Sequence, residues 1–471
     1  MVSVAFYTFG CRINQYDTET MRTLLETTGR FRAVPLHKPA DVYVINTCSV
    51  TAQADATARK AIRRIRSDRP NAKIIVTGCY AQRVPTEIAE LPGIALVLGV
   101  PDRTRIVSEI DQVLAAPNTD SPKSHQKIAV SPVSTAHTFP EIPITRMMNR
   151  SRAVVKIQDG CNGACSFCII PQTRGHSRSR QPEQVLDQIT QLVDNGYQEI
   201  VLAGVHLGDY GLENNPSNPG AGKSALFHLI ERILSIPNLM RFRLSSIGPN
   251  AITKDIILLM AAKEKFARHF HIPLQSGSDE ILMRMNRDYR VAQFEKLLRD
   301  ITDAIPDCGI GADIICGFPG ESDTLFNETV ARITDLPLSY LHPFPYSARP
   351  GSPAESFGDQ VSSENKKSRT RILKQLSREK NRAFQWRHLG SEVNVLLEGR
   401  EKGQPERNSR GSPDEHSYEK SEPACFGWTD NYLRVAVRGA GIDTHSGLQR
   451  VRITGLEDEG LVGELVKAIL S

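Results

Sequence analysis

Three short apolar runs near the start of the chain each lead into a cysteine, and this narrows the possible fold more than any other feature. VSVAFYTF (2–9) is followed by Gly10 and Cys11, DVYVINT (41–47) by Cys48, and KIIVTG (73–78) by Cys79. Continuous apolar runs of this length are the pattern of strands buried on both faces of a parallel sheet. A fourth run, ALVLG (95–99), and helical stretches at Asn14–Gly29 and Thr51–Arg69 complete a βαβ alternation. They predict a small doubly wound sheet over residues 1–115. In such sheets the ligand crevice lies at the carboxyl ends of the strands. Three thiols at neighbouring strand ends could therefore converge on one point; the alternative is three unrelated buried cysteines.

Residues 116–146 contain PNTDSPKSHQK and several prolines without a sustained period, the pattern of a linker. A second βα series follows over 147–360. Its strand candidates are AVVKIQ (153–158), EIVLAGV (199–205), LMRFRLSSI (239–247), HFHIPL (269–274), IGADIICGF (310–318) and SYLHPFPY (339–346). Amphipathic stretches at Pro182–Gly196, Ala225–Ser235, Ile281–Met285 and Ala292–Ala304 separate them. Six βα units suggest a partial barrel, short of the full eight. Residues 361–389 read as one basic helix, with Lys366, Lys367, Arg369, Arg371, Lys374, Arg378, Lys380, Arg382 and Arg387 against Glu364 and Glu379. This is either a solvated connector or a surface for phosphates. From 390 to 471, EVNVLLEG, NYLRVAVRG and QRVRITGLE alternate like strands of a small antiparallel barrel, interrupted near 400–424 by a charged, Gly/Pro/Ser-rich insertion. The fold class is thus α/β, with a small antiparallel β-barrel at the end.

The chain of 471 residues fits about three domains. With 40% apolar and 24% charged residues it is a globular composition, so disorder is excluded as the main state. No apolar run approaches the roughly 18 residues that span a bilayer. No basic segment precedes an apolar stretch at the N-terminus, so a cytoplasmic, membrane-free location is expected. A net charge of +5 permits a nucleic-acid partner without requiring one. Nine cysteines, an odd number, argue against a disulfide framework.

CNGACSFC places Cys161, Cys165 and Cys168 at C-x3-C-x2-C. Three thiolates this close in sequence either surround a metal centre or are an accident, and a clustered triplet is rarely an accident. Structural zinc needs a fourth ligand, for which His176 is available. An iron–sulfur cluster normally takes four cysteines, so three leave one iron open for chemistry. Gly160 and Gly163 would let backbone approach such a cluster. Cys308, Cys316 and Cys425 match no such pattern and read as structural.

With Phe167 before its last cysteine, the triplet resembles the cluster loop of radical S-adenosylmethionine (SAM) enzymes. The likeness extends to Thr8-Phe9-Gly10-Cys11 with Asn14 and Asp17, INTCSVT (45–51), VTGCYAQ (76–82), HIPLQSGSD (271–279), MNRDY (285–289) and GFPGE (317–321). Together these resemble the methylthiotransferase family over essentially the whole chain. That resemblance implies an N-terminal three-cysteine domain, a radical SAM partial barrel and a C-terminal RNA-binding TRAM barrel. It implies a 4Fe–4S cluster on Cys161, Cys165 and Cys168 that binds and cleaves SAM. It also implies an auxiliary 4Fe–4S cluster on Cys11, Cys48 and Cys79 that carries the sulfur. Gly204, Ser245, Gln275, Gly317, Pro319, Gly320 and Glu321 would line the SAM pocket. A tRNA substrate, a flavodoxin- or ferredoxin-type electron donor and a sulfur donor would be its partners.

Family members act on isopentenyladenosine in tRNA, on threonylcarbamoyladenosine in tRNA, or on an aspartate of a ribosomal protein. GVHLGDYG (204–211) with Asn14-Gln15-Tyr16 resembles the threonylcarbamoyladenosine branch most closely. His206, Arg174, Arg178 and Arg180 are the candidate donors to the carboxylate of that substituent, and each could equally be a structural or tRNA-phosphate contact. A non-catalytic RNA-binding protein with structural zinc is the reading from another class.

Overall fold

The computed structural model describes residues 1–116, 127–147, 151–214, 221–400, 425–439, 447–457 and 460–466. The N-terminal runs form strands β1 (Val2–Thr8), β3 (Val42–Thr47), β4 (Lys73–Gly78) and β5 (Ile94–Leu98), all parallel. Two strands were not visible as apolar runs: β2 (Phe31–Val34) beside β1, and β6 (Lys127–Ala129) beside β5. Both lie at the edges of the sheet, whose order is β2-β1-β3-β4-β5-β6. An edge strand buries fewer side chains, so FRAV and KIA lack the apolar continuity of the central strands. Part of the stretch read as a linker is therefore the sheet's last strand. Helices α1 (Arg12–Thr27) and α2 (Ala52–Asp68) cover the sheet, and Thr51 caps α2 by accepting the Ala54 N–H at 3.1 Å.

The second series gives six parallel strands: β7 (Arg152–Asp159), β9 (Glu199–Gly204), β10 (Arg241–Leu244), β11 (His269–His271), β12 (Gly309–Cys316) and β13 (Tyr340–Pro345). The short β8 (Arg178–Ser179) pairs antiparallel with β7. Bridges Phe242–Phe266 and Ser246–His271 join the β10 side to the β11 side, giving an open partial barrel. Ile310, Ala312 and Ile314 enter the apolar core under the surrounding helices. Strand alternation therefore turns Gly311 and Asp313 to the inside.

The tail closes as a five-stranded barrel of β14 (Glu392–Arg400), β15 (Cys425–Thr429), β16 (Arg434–Arg438), β17 (Leu448–Glu457) and β18 (Gly460–Leu465). One pair, β16 with β18, is parallel, so the barrel is not uniformly antiparallel. The charged insertion near 400–424 lies, beyond the end of β14, outside the described residues. The turn after β15 plugs the wider barrel from below. Tyr432, held at φ 69°, stacks on His269 at 4.4 Å and on Trp428 at 4.6 Å. Arg241 and Arg243 donate to the backbone carbonyls of Trp428, Asn394, Asp430 and Thr429. Both arginines pair with buried Glu199. Burial would raise this carboxyl, but Arg243, Arg241 and Arg152 outweigh it and hold it at about 2.

The basic helix spans Ser363–Trp386 and lies against β13. Several of its cations are structural. Arg369 is buried between Glu321 (2.8 Å) and Asp323 (2.7 Å), and Lys380 donates to the carbonyls of Thr334 and Leu336. Lys367, Arg371 and Lys374 are exposed. Among the described residues no helix is long and apolar enough to cross a membrane.

Candidate active site at two cysteine triads

Each cysteine of the N-terminal triad stands where a parallel strand ends. Cys11 caps α1 after Gly10, Cys48 follows β3, and Cys79 opens a short helix after Gly78. Gly10 (φ 92°) and Gly78 (φ 94°) both adopt conformations that side chains resist. Space forbids a side chain as well: a Cβ on Gly10 would lie 2.6 Å from Cys48 Cβ and 2.8 Å from Cys48 Sγ. The strand ends are laced together by amides. Asn14 donates to the carbonyls of Phe9 (2.8 Å) and Thr47 (3.0 Å), and Asn46 donates to the Asn14 carbonyl (2.9 Å). Burial pushes the Cys48 thiol up to about 12, with Cys79 adding to the rise.

The second triad occupies one loop after β7. Its sulfurs already accept weak hydrogen bonds: Cys161 from Gly163 N–H (3.3 Å), Cys168 from Ile170 N–H (3.4 Å) and Cys165 from the Arg287 guanidinium (2.9 Å). Burial raises Cys161 to about 11 and Cys168 to about 12. All nine cysteines are free thiols. His176 is turned to Asn162 Oδ1 (3.3 Å) and is absent from the candidate metal-ligand groups among the described residues. His206 and Asp209 instead lie near Cys161, their ligand atoms all within 4.8 Å of one another.

A buried charge network joins the triads. Arg174 donates to Asn14 Oδ1 (2.7 Å), Asp17 Oδ2 (2.9 Å) and Asp159 Oδ1 (2.8 Å). Lys156 contacts the same two aspartates at 2.5 and 3.0 Å, and Arg103 pairs with both. Burial alone would raise Asp159. Lys156, Arg174 and Arg103 overcome it and hold the carboxyl well below the usual range. Cationic groups thus outnumber carboxylates in this buried network between the thiols. Arg349, from the loop after β13, reaches across to Ser49 (3.0 Å) and Asp55, bracing the Cys48 turn. Spacing gave no sign of Arg349, because its partners are about 300 residues away.

Gly204 and Ser245 lie at the carboxyl ends of β9 and β10, and Gln275 follows β11 at φ 70°. Residues 317–321 follow β12, so all four segments share the barrel end that carries the cysteine loop. The GFPGE turn is enclosed: Gly317, Phe318 and Pro319 are buried, Lys366 packs on Gly317, and Arg284 packs on Gly320. Glu321 accepts the Gly317 N–H at 2.6 Å and pairs with Arg369. Three of the four expected carboxylate donors are already paired and buried: Arg174 and Arg178 with Asp159, and Arg180 with Glu141. His206 stays partly exposed but rests 2.8 Å from Asp209. Cys308, Cys316 and Cys425 are buried, as their structural reading requires.

Residues 3–99 match the family described as uncharacterized protein family UPF0004, and residues 155–333 match the radical SAM superfamily. The threonylcarbamoyladenosine tRNA methylthiotransferase MtaB of Bacillus subtilis (strain 168) is 38% identical over 93% of this chain and 91% of its own. The protein of the same name from Chlamydia pneumoniae is 34% identical over 97% and 96%. The chain belongs to the radical SAM methylthiotransferase family. A tRNA-2-methylthio-N(6)-dimethylallyladenosine synthase of Clostridium botulinum (strain Okra / Type B1) is more distant, at 32% over 84% and 86%. Among solved structures, the radical SAM methyltransferase TsrM of Kitasatospora setae shares the fold, with TM-score 0.55, 16% identity and 75% of each chain covered. As a radical SAM methylthiotransferase the protein is an enzyme that uses SAM and a 4Fe–4S cluster.

Proposed function

We propose that this methylthiotransferase places a methylthio group on C2 of N6-threonylcarbamoyladenosine beside the anticodon of tRNA. The observation that carries the reading is the pair of thiol triads locked together through Arg174, in a chain whose similarity to MtaB proteins runs nearly end to end. The donor sets fit the groups: three free thiols each, two of those sulfurs already accepting backbone N–H groups, and a buried cationic excess nearby. Cys161, Cys165 and Cys168 would hold the cluster that binds SAM, and Cys11, Cys48 and Cys79 a second one. Loaded, these clusters supply one-electron cleavage of SAM at the barrel and a sulfur for methylation at the N-terminal sheet.

The remaining work falls to the chain's own residues. Arg287 donates from its guanidinium to Cys165 Sγ and so sets a positive charge beside that sulfur. Arg174 fixes the second loop against α1 and thereby sets the separation of the two triads. Gly204, Ser245, Gln275 and the Gly317–Glu321 turn, with Pro319 and Gly320, would border SAM at the same barrel end. Glu321 acts there by holding the turn through Gly317 and Arg369. The C-terminal barrel and the exposed cations of the helix Ser363–Trp386 would meet tRNA phosphates. A flavodoxin- or ferredoxin-type donor would supply electrons, and a separate sulfur donor would renew the sulfur.

The test is methylthiolation of anticodon stem-loops bearing threonylcarbamoyladenosine, isopentenyladenosine or plain adenosine, read by mass spectrometry of the nucleosides. The first should turn over best. Faster reaction of the isopentenyl loop would reassign the substrate.

A further inference from the structure

Arg12 is the first residue of α1, one position past Cys11, and is half-buried. It spends one N–H on a neutral partner, the Tyr432 hydroxyl, at 3.1 Å. Among the described residues no carboxylate meets it. The neighbouring arginines differ in this respect: Arg174 and Arg103 pair with Asp17 and Asp159, Arg241 and Arg243 with Glu199, and Arg152 with Glu398. A partly desolvated guanidinium without a counter-ion is costly, and one phenol hydrogen bond does not replace the missing charge. Among the described residues it is half of a pair without its other half.

Polar rings stand on the far side of its partner Tyr432. Tyr340 stacks on Tyr432, the partner of Arg12, with ring centroids 6.1 Å apart, and hydrogen-bonds His269 (2.8 Å) and His271 (3.3 Å). On the same face of β13, the His342 side chain is 50% exposed and Phe344 is 44% exposed, so this inner wall borders unfilled space. Asp313 does not compete for Arg12, because it is engaged by His271 at 2.9 Å and His342 at 3.6 Å.

We propose that Arg12 binds the carboxylate carried by the N6 substituent of the target adenosine, with Tyr340 and His342 lining the same pocket. The inference rests on the substrate reading above. If sulfur reaches C2 from the triad containing Cys11, the substituent across the same purine must lie within a side chain's reach of that triad. Arg12 is the neighbouring residue. Its planar fork suits a carboxylate in a bidentate pair, and an apolar substituent would leave it unpaired.

The experiment compares stem-loops bearing threonylcarbamoyladenosine as the free acid and as its methyl ester, beside an isopentenyl loop. Wild-type holoenzyme, Arg12→Gln, Arg12→Lys and Tyr432→Phe are assayed, with iron per chain counted for each. Wild type should prefer the acid to the ester at least tenfold in kcat/KM. In Arg12→Gln this ratio should fall towards one, mainly through KM, while Arg12→Lys keeps part of it. Tyr432→Phe should keep the ratio, because it removes only the phenol oxygen and leaves the guanidinium in place. Equilibrium binding of the acid and ester loops gives the same ratio without turnover. A wild type that prefers the isopentenyl loop overturns the substrate reading and the clamp with it. A wild type that prefers the acid, with an undiminished ratio in Arg12→Gln at normal iron content, overturns the clamp alone.

Discussion

Cys161, Cys165 and Cys168 share one loop after a single strand, whereas Cys11, Cys48 and Cys79 arrive from the ends of three strands and meet only when the sheet has formed. The loop triad needs little more than local chain geometry to gather its sulfurs. The sheet triad depends on the packing of β1, β3 and β4, so metal binding there would be coupled to the stability of that sheet. The difference separates their weaknesses: a fault in the sheet disperses one triad and leaves the other assembled.

Removing the thiols tests this division most severely. Alanine at Cys161, Cys165 and Cys168 should abolish formation of 5′-deoxyadenosine from SAM. Alanine at Cys11, Cys48 and Cys79 should leave that cleavage measurable while methylthio transfer stops. Equal loss of cleavage in both folded variants would show that the triads do not divide the labour.

Arg174 is the bolt between them. Arg174→Met leaves Asp17 and Asp159 short of a cation in a buried site, which should cost about 3–5 kcal/mol in denaturant unfolding. Iron should be lost from the sheet triad more readily than from the loop triad. Unchanged stability would mean that Lys156 and Arg103 alone satisfy both aspartates.

Protons give a smaller and more discriminating signal. Burial holds Cys48 at about 12 and Cys161 at about 11, so both are protonated at neutral pH in the apo chain. A metal must displace those protons, and the displacement becomes easier as pH rises. Cobalt(II) titrations of chains carrying one triad each should therefore tighten by at least about tenfold between pH 7 and pH 8. An affinity independent of pH would remove the thiols as ligands.

The smallest effect concerns RNA. Charge reversal at Lys367, Arg371 and Lys374 should lower the salt slope of tRNA binding by about 0.7–0.9 for each phosphate no longer neutralised. Neither triad should change its iron content. An unchanged slope would make the exposed face of this helix a solvated connector.

The same contrast explains what could be read from residues alone. The loop triad announces itself by spacing, and the sheet triad by strands that run into cysteines. The barrel strands were visible as apolar runs because their outer faces are buried under helices. Arg349 on the Cys48 turn, Tyr432 beneath the barrel and the charge network around Asp159 were not visible, because each joins segments far apart in sequence. The helix Ser363–Trp386 shows the opposite limit. Its charges suggest a uniform basic face, yet Arg369 is buried on Glu321 and Lys380 closes the end of a neighbouring helix. Composition reports that a cation is present, whereas packing decides whether it is available.

The hydrogen bond between Arg12 and Tyr432 spans 420 positions. Synthesis runs from the N-terminus, so all six triad cysteines have left the ribosome long before Tyr432 is made. The part of the chain that gathers sulfur ligands is thus complete while the floor of the barrel is still missing. A chain truncated before β15 would keep all six triad cysteines and Arg12 but lose the residue that holds the Arg12 side chain at the barrel floor.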